Sequence, residues 1–252
     1  MVGELDGRRI LVTGAATGIG AAAVEAFATH GAAVAATFHQ TPPPDRLADA
    51  ATWVRCDCRQ REEVERVVAE VTEKLGGLDV LLHAAGLWQG SVPGRITEAD
   101  LEFMSSTNLA ATVWTNQAAF AAMQSHGGRI INLGSAEGIT GNPIAALYSA
   151  TKAAVHAWTR SAAKAWAYAG VTVNAVAPAV ETPGAQRLRD YLGPHGAALL
   201  EQQIQAAIPL GGKLGDPLRD LTPMLVFLAG EGSRFITGQL LAVDGGLAML
   251  GA

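Results

Sequence analysis

Short runs of aliphatic and β-branched residues alternate along the chain with longer stretches whose apolar positions recur every three or four residues. The pattern predicts strands at 9–13, 33–38, 52–56, 80–83, 129–133, 171–176 and 240–243. It predicts helices at 18–30, 62–75, 148–169 and 223–228. The stretch 62–75 is typical, with Val64, Val67, Val68, Val71 and Leu75 on one face and charges on the other. About seven apolar strands alternating with helices imply an α/β chain, with a parallel sheet covered by helices on both faces. Its crossovers are expected to be right-handed. No repeat at a period of about 20–50 residues and no linker is visible, so a single domain spanning 1–252 is expected. The stretch 103–128 contains no Asp, Glu, Lys or Arg, but its Ser105, Ser106, Asn108, Asn116, Gln117 and Gln124 would be penalised in hydrocarbon. It is expected to be a buried or subunit-facing helix. The stretch 182–214 is broken by Pro183, Pro194 and Pro209 and is expected to be irregular, a loop long enough to serve as a lid.

Composition narrows the function classes. Hydrophobic residues make up 49% of the chain and charged residues 16%, against a usual charged share of about 25%, which excludes an intrinsically disordered chain. A net charge of −5 gives no electrostatic footprint for nucleic acid. The two cysteines, Cys56 and Cys58, cannot build a disulfide scaffold, and no secretory leader is read ahead of them. A cytoplasmic protein is expected. The pair flanks Asp57 with no histidine near in sequence, so two buried small apolar side chains are expected and no metal site.

The first chemical signal is Thr13-Gly-Ala-Ala-Thr-Gly-Ile-Gly20, where the first strand meets the first helix. Small residues there let the backbone approach a pyrophosphate, whose charge then sits at a helix N-terminus. The second is Tyr148-Ser-Ala-Thr-Lys152, whose Tyr148 and Lys152 share a helix face one turn apart, thirteen residues after Ser135 at the end of the fifth strand. An ammonium beside a phenol favours the phenolate and moves it toward the range of a general acid/base.

Thr-Gly-x-x-x-Gly-x-Gly, Ser135, the Tyr148/Lys152 pair, Thr107-Asn-Leu109, the run from Asn174 to Thr182 and Gly238 to Gly246 follow one another in the order of the short-chain dehydrogenase/reductase family. The chain resembles that family over its whole length. The resemblance implies a Rossmann-type doubly wound sheet and an NAD(P)(H)-dependent oxidoreductase that interconverts a ketone or aldehyde and an alcohol. It implies that Tyr148 exchanges the proton, Ser135 orients the substrate oxygen, Lys152 holds the nicotinamide ribose and depresses the phenol, and Asn108 supports a relaying water. It implies a cofactor site of Gly14, Thr17, Gly18, Ile19 and Gly20, of Ala85 and Gly86, and of Pro178, Val180 and Thr182, with Asp57 at the adenine. A homotetramer is implied, with the helices at 112–123 and 153–169 forming one subunit face.

Substrate choice is expected to lie with Ser135, Trp88, Glu137 and Tyr191. Trp88 reads either as a pocket wall or as core, and Tyr191 either as part of the lid or as a surface residue. His156 reads as a packed helix residue. The sequence departs from the family at His83-Ala-Ala-Gly86, where two asparagines are absent and strand support is in doubt, and at Pro178-Ala179, where a glycine is absent. The second strand ends in Phe38 and His39, where a carboxylate would hold the ribose 2′-hydroxyl of NAD. NADP(H) is therefore the expected preference, with NAD(H) open, and Thr37, His39 and Arg46 are the candidate phosphate donors. Alternatives are a 3-oxoacyl-thioester reductase, a dehalogenase-like enzyme on the same scaffold and a non-catalytic nucleotide sensor.

Overall fold

The predicted strands all form, as β1 (Arg9–Thr13), β2 (Ala33–Phe38), β3 (Thr52–Arg55), β4 (Val80–His83), β5 (Gly128–Leu133), β6 (Val171–Pro178) and β7 (Leu240–Val243) in a computed structural model that describes residues 3–249. They join into one sheet in the order β3-β2-β1-β4-β5-β6-β7, with every pair parallel. The chain runs outward from β1 to β3 and then returns to pair β4 on the other side of β1. The C-terminal ends of β1 and β4 thus flank the crevice where doubly wound sheets bind ligands.

Successive strand residues feed opposite faces, which explains why the strands read as unbroken apolar runs. Ile10 and Val12 of β1 pack with α1 (Gly18–Thr29) and α8 (Thr222–Ala229) on one face. Leu11 packs on the other face with α2 (Arg61–Leu75), α4 (Ala111–Met123) and α6 (Ala146–Trp166). Leu11, Leu81 and Ile130 are fully buried there, each worth about 1.5–3 kcal/mol of transfer free energy. The helix α2 buries its four valines and ends at Gly76, whose φ of 72° permits the left-handed cap.

Three elements differ from the sequence expectation. The uncharged stretch is the end of a longer helical run, in which α3 (Glu98–Met104), opened by a Thr97/Asp100 capping box, passes through a π turn at Ser105–Ala110 into α4. A short helix, α5 (Glu137–Thr140), follows Ser135. The third difference corrects the reading of 182–214 as irregular, since α7 spans Pro183–Ala207. The prolines do not break it in the expected way. Pro183 sits at the first helical turn behind the Thr182 cap, and Pro194 follows Gly193, the single non-helical residue, at φ 68° and ψ 176°. The result is two helices around one glycine hinge.

Candidate active site

The glycine-rich turn is tight because side chains cannot fit. A Cβ on Gly14 (φ 62°) would lie 2.6 Å from the Ala85 Cα, and one on Gly20 would lie 2.5 Å from the Gly14 carbonyl oxygen. The turns after β1 and β4 therefore touch. Thr17 precedes α1 in extended conformation without capping it, and the first turn of α1 holds no acidic residue. Its N–H groups and dipole suit an anion, so the cradle fits a dinucleotide pyrophosphate.

One cavity of about 1240 Å³ collects the site residues expected from the sequence. Gly14, Thr17, Gly18, Ile19, Gly20, Phe38, His39, Asp57, Ala85 and Gly86 line it, as do Pro178, Val180, Thr182, Trp88, Ser135, Glu137, Tyr148, Lys152 and Tyr191. Asn108 does not. It is buried in the π turn behind the wall, where its Oδ1 accepts from Leu87 N at 2.9 Å and its Nδ2 donates to Leu87 O at 3.0 Å. Its side chain is thereby committed to holding the backbone after Gly86. A Cβ on Gly86 would lie 3.1 Å from Asn108 Oδ1 and 3.9 Å from Lys152 Nζ, so this glycine keeps open the place where the two converge.

Lys152 is buried and donates from Nζ to Leu133 O at 2.7 Å, and burial lowers its ammonium to about 8. Its Nζ lies 5.6 Å from the centre of the Tyr148 ring. The expected depression of the phenol is not present in this arrangement. Burial pushes Tyr148 up to about 12, the Glu137 carboxyl adds to the rise, and only the nearby Ser135 hydroxyl pulls it down. Desolvation outweighs an ammonium that is itself buried and turned to the end of β5. His156, read as a packed residue, is buried and accepts the Ser135 N–H at 3.3 Å through Nε2. Burial and the Lys152 charge lower it to about 4, so it stays neutral and fixes the Ser135 backbone. Sequence reasoning missed that role. Its signal is the glycines at 134 and 138, where a Cβ would lie 2.7 Å from the His156 ring.

The departures from family pattern find structural answers. His83 is buried with Nδ1 at 2.9 Å from both Thr13 Oγ1 and Thr115 Oγ1, linking β4 to β1 and α4 in place of the missing amides. Burial lowers it to about 3, which keeps the ring uncharged. Among the described residues no non-glycine has a positive φ, so Ala179 is accommodated without backbone strain.

At the far end of the cavity, Asp57 binds Arg59 through both oxygens, with Arg59 Nη2 at 2.6 Å and Nε at 2.9 Å, and His39 Nε2 at 3.6 Å. Arg59 holds the carboxyl below its ordinary value. Arg59 lines the cavity beside Phe38 and His39 and was missed in the sequence because it follows β3 instead of β2. Two candidate phosphate donors are corrected. Thr37 is buried, with its hydroxyl near Gly14 N at 3.4 Å, and Arg46 pairs with Glu25 away from the cavity lining. At the other end, Tyr191 of α7 meets Trp88 edge to face with ring centres 5.8 Å apart, and its ring fills the space a side chain at Gly90 would need.

A parallel sheet with an anion cradle at its switch point, opening into a Ser135/Tyr148/Lys152 cluster, defines an oxidoreductase that works with a nicotinamide dinucleotide. The family model described as enoyl-(acyl carrier protein) reductase matches residues 14–248. The chain is 36% identical to the 3-oxoacyl-[acyl-carrier-protein] reductase FabG of Vibrio cholerae, covering 98% of this chain and 100% of that protein. It is 34% identical to a sorbitol dehydrogenase of Cereibacter sphaeroides, covering 96% and 98%. A short-chain type dehydrogenase/reductase from Mycobacterium marinum superposes with a TM-score of 0.85 at 30% identity, covering 97% and 96%. The chain belongs to the short-chain dehydrogenase/reductase family.

Proposed function

We propose that this protein is a ketoreductase, or alcohol dehydrogenase in reverse, that prefers NADP(H). The observation that carries the reading is the meeting of Ser135, Tyr148 and Lys152 with the glycine cradle in one cavity. The cofactor, when bound, supplies or accepts the hydride. The pyrophosphate would lie on the first turn of α1 over Gly14, Gly18 and Gly20, with the Thr182 and Val180 backbone beside the nicotinamide end. Ser135 donates a hydrogen bond to the substrate oxygen, and Tyr148 delivers the proton to that same oxygen as its negative charge develops. A phenol held near 12 in the free protein stays protonated at neutral pH, which suits the acid role in reduction. Lys152 holds the ribose, with its Nζ 5.6 Å from the centre of the Tyr148 ring, while Asn108 shapes the backbone through which a water relay would pass.

Support for NADP(H) comes from the missing acid at the end of β2 together with Arg59 and His39 at that end of the cavity. A guanidinium can turn from Asp57 toward a 2′-phosphate, for which it has the stronger charge match. A single domain, 1–252, carries both the cofactor and the substrate, and α7 acts as its lid. Two buried, unbridged thiols suit the cytoplasm. The resemblance to the Vibrio cholerae reductase favours a second reading, in which the ketone is a 3-oxoacyl thioester. The test follows absorbance at the reduced-nicotinamide band with simple ketones and an acetoacetyl thioester, each with NADPH and NADH. A kcat/KM ratio of NADPH over NADH well above one is expected on the best ketone. A ratio below one removes the NADP(H) preference, and no turnover of any carbonyl or alcohol removes the proposed activity.

A further inference from the structure

The helix α7 is patterned like a helix with a core to cover, yet none of its residues is buried. A surface helix ordinarily packs an apolar stripe on the core, as α2 does with its four valines. The stripe exists in α7 too. In its first half Ala185, Leu188 and Tyr191 recur at helical spacing, and in its second half so do Leu200, Ile204 and Ala207, each set along one helical face. All six line the cavity, while Gln186, Asp190, Gln202 and Gln205 are exposed and take no part in it. Leu214, just beyond α7, and Leu247, beyond β7, line the same cavity. The face that would be hidden by a core is turned to open space inside the site.

The order of the strands says what the second half of α7 looks onto. The glycine cradle follows β1 and Ser135 follows β5, whereas this half comes down where β7 ends. A Cβ on Gly245 would lie 2.7 Å from Ile208, and one on Gly246 3.2 Å from Pro209. In the order β1-β4-β5-β6-β7, Ser135 stands between the cradle and this half of α7. What the face meets is the part of a substrate beyond its carbonyl. Charge is directed elsewhere. Arg189 holds Glu181 and Glu201, and Arg187 belongs to the first half, whose Pro183 abuts Gly18 of the cradle. We infer that this face is the binding wall for an apolar chain or ring on the substrate. The preferred substrates are then ketones with a sizeable hydrocarbon body, in place of small or polyhydroxylated ones, and Leu200 and Ile204 set that preference. The inference rests on the proposed ketone reduction and names its substrate class. Each methylene laid on the wall removes apolar surface from water on both partners and strengthens binding in proportion to the area covered. A hydroxyl in its place would lose its water, and the side chains of Leu200, Ile204 and Ala207 offer it no donor or acceptor in return.

The test follows NADPH oxidation by the full-length protein with straight-chain methyl ketones from butanone to methyl octyl ketone. The readout is the rise of kcat/KM with chain length, a ratio taken within each variant, so that a general change in activity cancels. Wild type should gain about threefold per added methylene until the wall is covered. The double variant Leu200→Gln, Ile204→Gln keeps helix propensity and removes the apolar surface, so its series should be nearly flat. Leu199→Gln, at an exposed neighbour outside the lining, should keep the wild-type rise. Should the double variant fail to fold, Leu200→Ala and Ile204→Ala carry the test singly, because each must still flatten the series. A flat or falling wild-type series, a rise that these variants leave unchanged, or a polyhydroxy ketone preferred to the alkanone of equal carbon count overturns the wall while the ketoreductase reading stands. Equal flattening by Leu199→Gln would trace the effect to the fold of α7 and overturns it as well. Absence of turnover with every ketone removes the ketoreductase reading, and the wall with it.

Discussion

Lys152 carries the heaviest electrostatic cost among the site residues, because its ammonium is buried with a backbone carbonyl as its hydrogen-bond partner. Its folded value near 8 lies below the ordinary 10.5, so between those two values the unfolded chain binds more protons. Stability contributed at this site therefore rises with pH across that window, and below it the full cost of the buried charge is present. Lys152→Met should unfold at a higher temperature than wild type at neutral pH, by the equivalent of about 1–3 kcal/mol after the lost bond to Leu133 O. The gap should narrow as pH climbs from 8 toward 10.5, and thermal melts across that range check it. The site was legible at this scale wherever a residue's chemistry is tied to local spacing, as with Tyr148 and Lys152 one helical turn apart. It was not legible where burial decides. The rise of Tyr148 and the neutrality of His83 both depend on what surrounds them in space.

Elements with one strong period were read nearly to the residue, because an apolar strand between glycines or a valine-striped helix has few alternatives. The stretch 182–214 was misread because proline and glycine were taken to break helices, when their positions at the first turn and at a hinge permit two. The capping box at Thr97 and Asp100 is the local sequence signal that opens α3. The helix α6, which carries Tyr148 and Lys152, has no side-chain cap of its own, and Ser91 Oγ, from the loop after β4, accepts the Leu147 N–H at 2.9 Å instead. Ser91→Ala should leave that N–H unpaired and cost about 1 kcal/mol, read as a lower Tm with the cofactor affinity retained. The two halves of α7 are joined by Arg189, which bridges Glu181 at 2.6 Å and Glu201 at 2.7 Å around the Gly193 hinge. If α7 is the lid, hydrogen exchange across Pro183–Ala207 should slow when cofactor and a substrate analogue are added together. Equal exchange with and without both would make it a static wall.

At the scale of the molecule, large apolar side chains are exposed at several places among the described residues, and two of these bear on assembly. One is the aromatic group of Phe120 on α4, Trp158 and Trp166 on α6 and Tyr168 in the turn after α6, where Tyr168 is 81% exposed. The other includes Phe235 at 98% and Met249 at 74% exposure near β7. Two such patches, each able to meet its own copy across a two-fold axis, predict a dimer of dimers. Light scattering should give four chains for wild type and two for Phe235→Glu, and a monomer for wild type would contradict the assignment. The account as a whole turns on one phenol that moves a proton without holding the cofactor. Its most direct test measures ketone-dependent NADPH oxidation and NADPH binding for wild type and Tyr148→Phe in the same buffer at neutral pH. The account predicts a fall in turnover of about 10²–10⁴-fold with the cofactor dissociation constant nearly unchanged. A variant that keeps more than about half the wild-type rate, against the loss expected for a general acid, would contradict it.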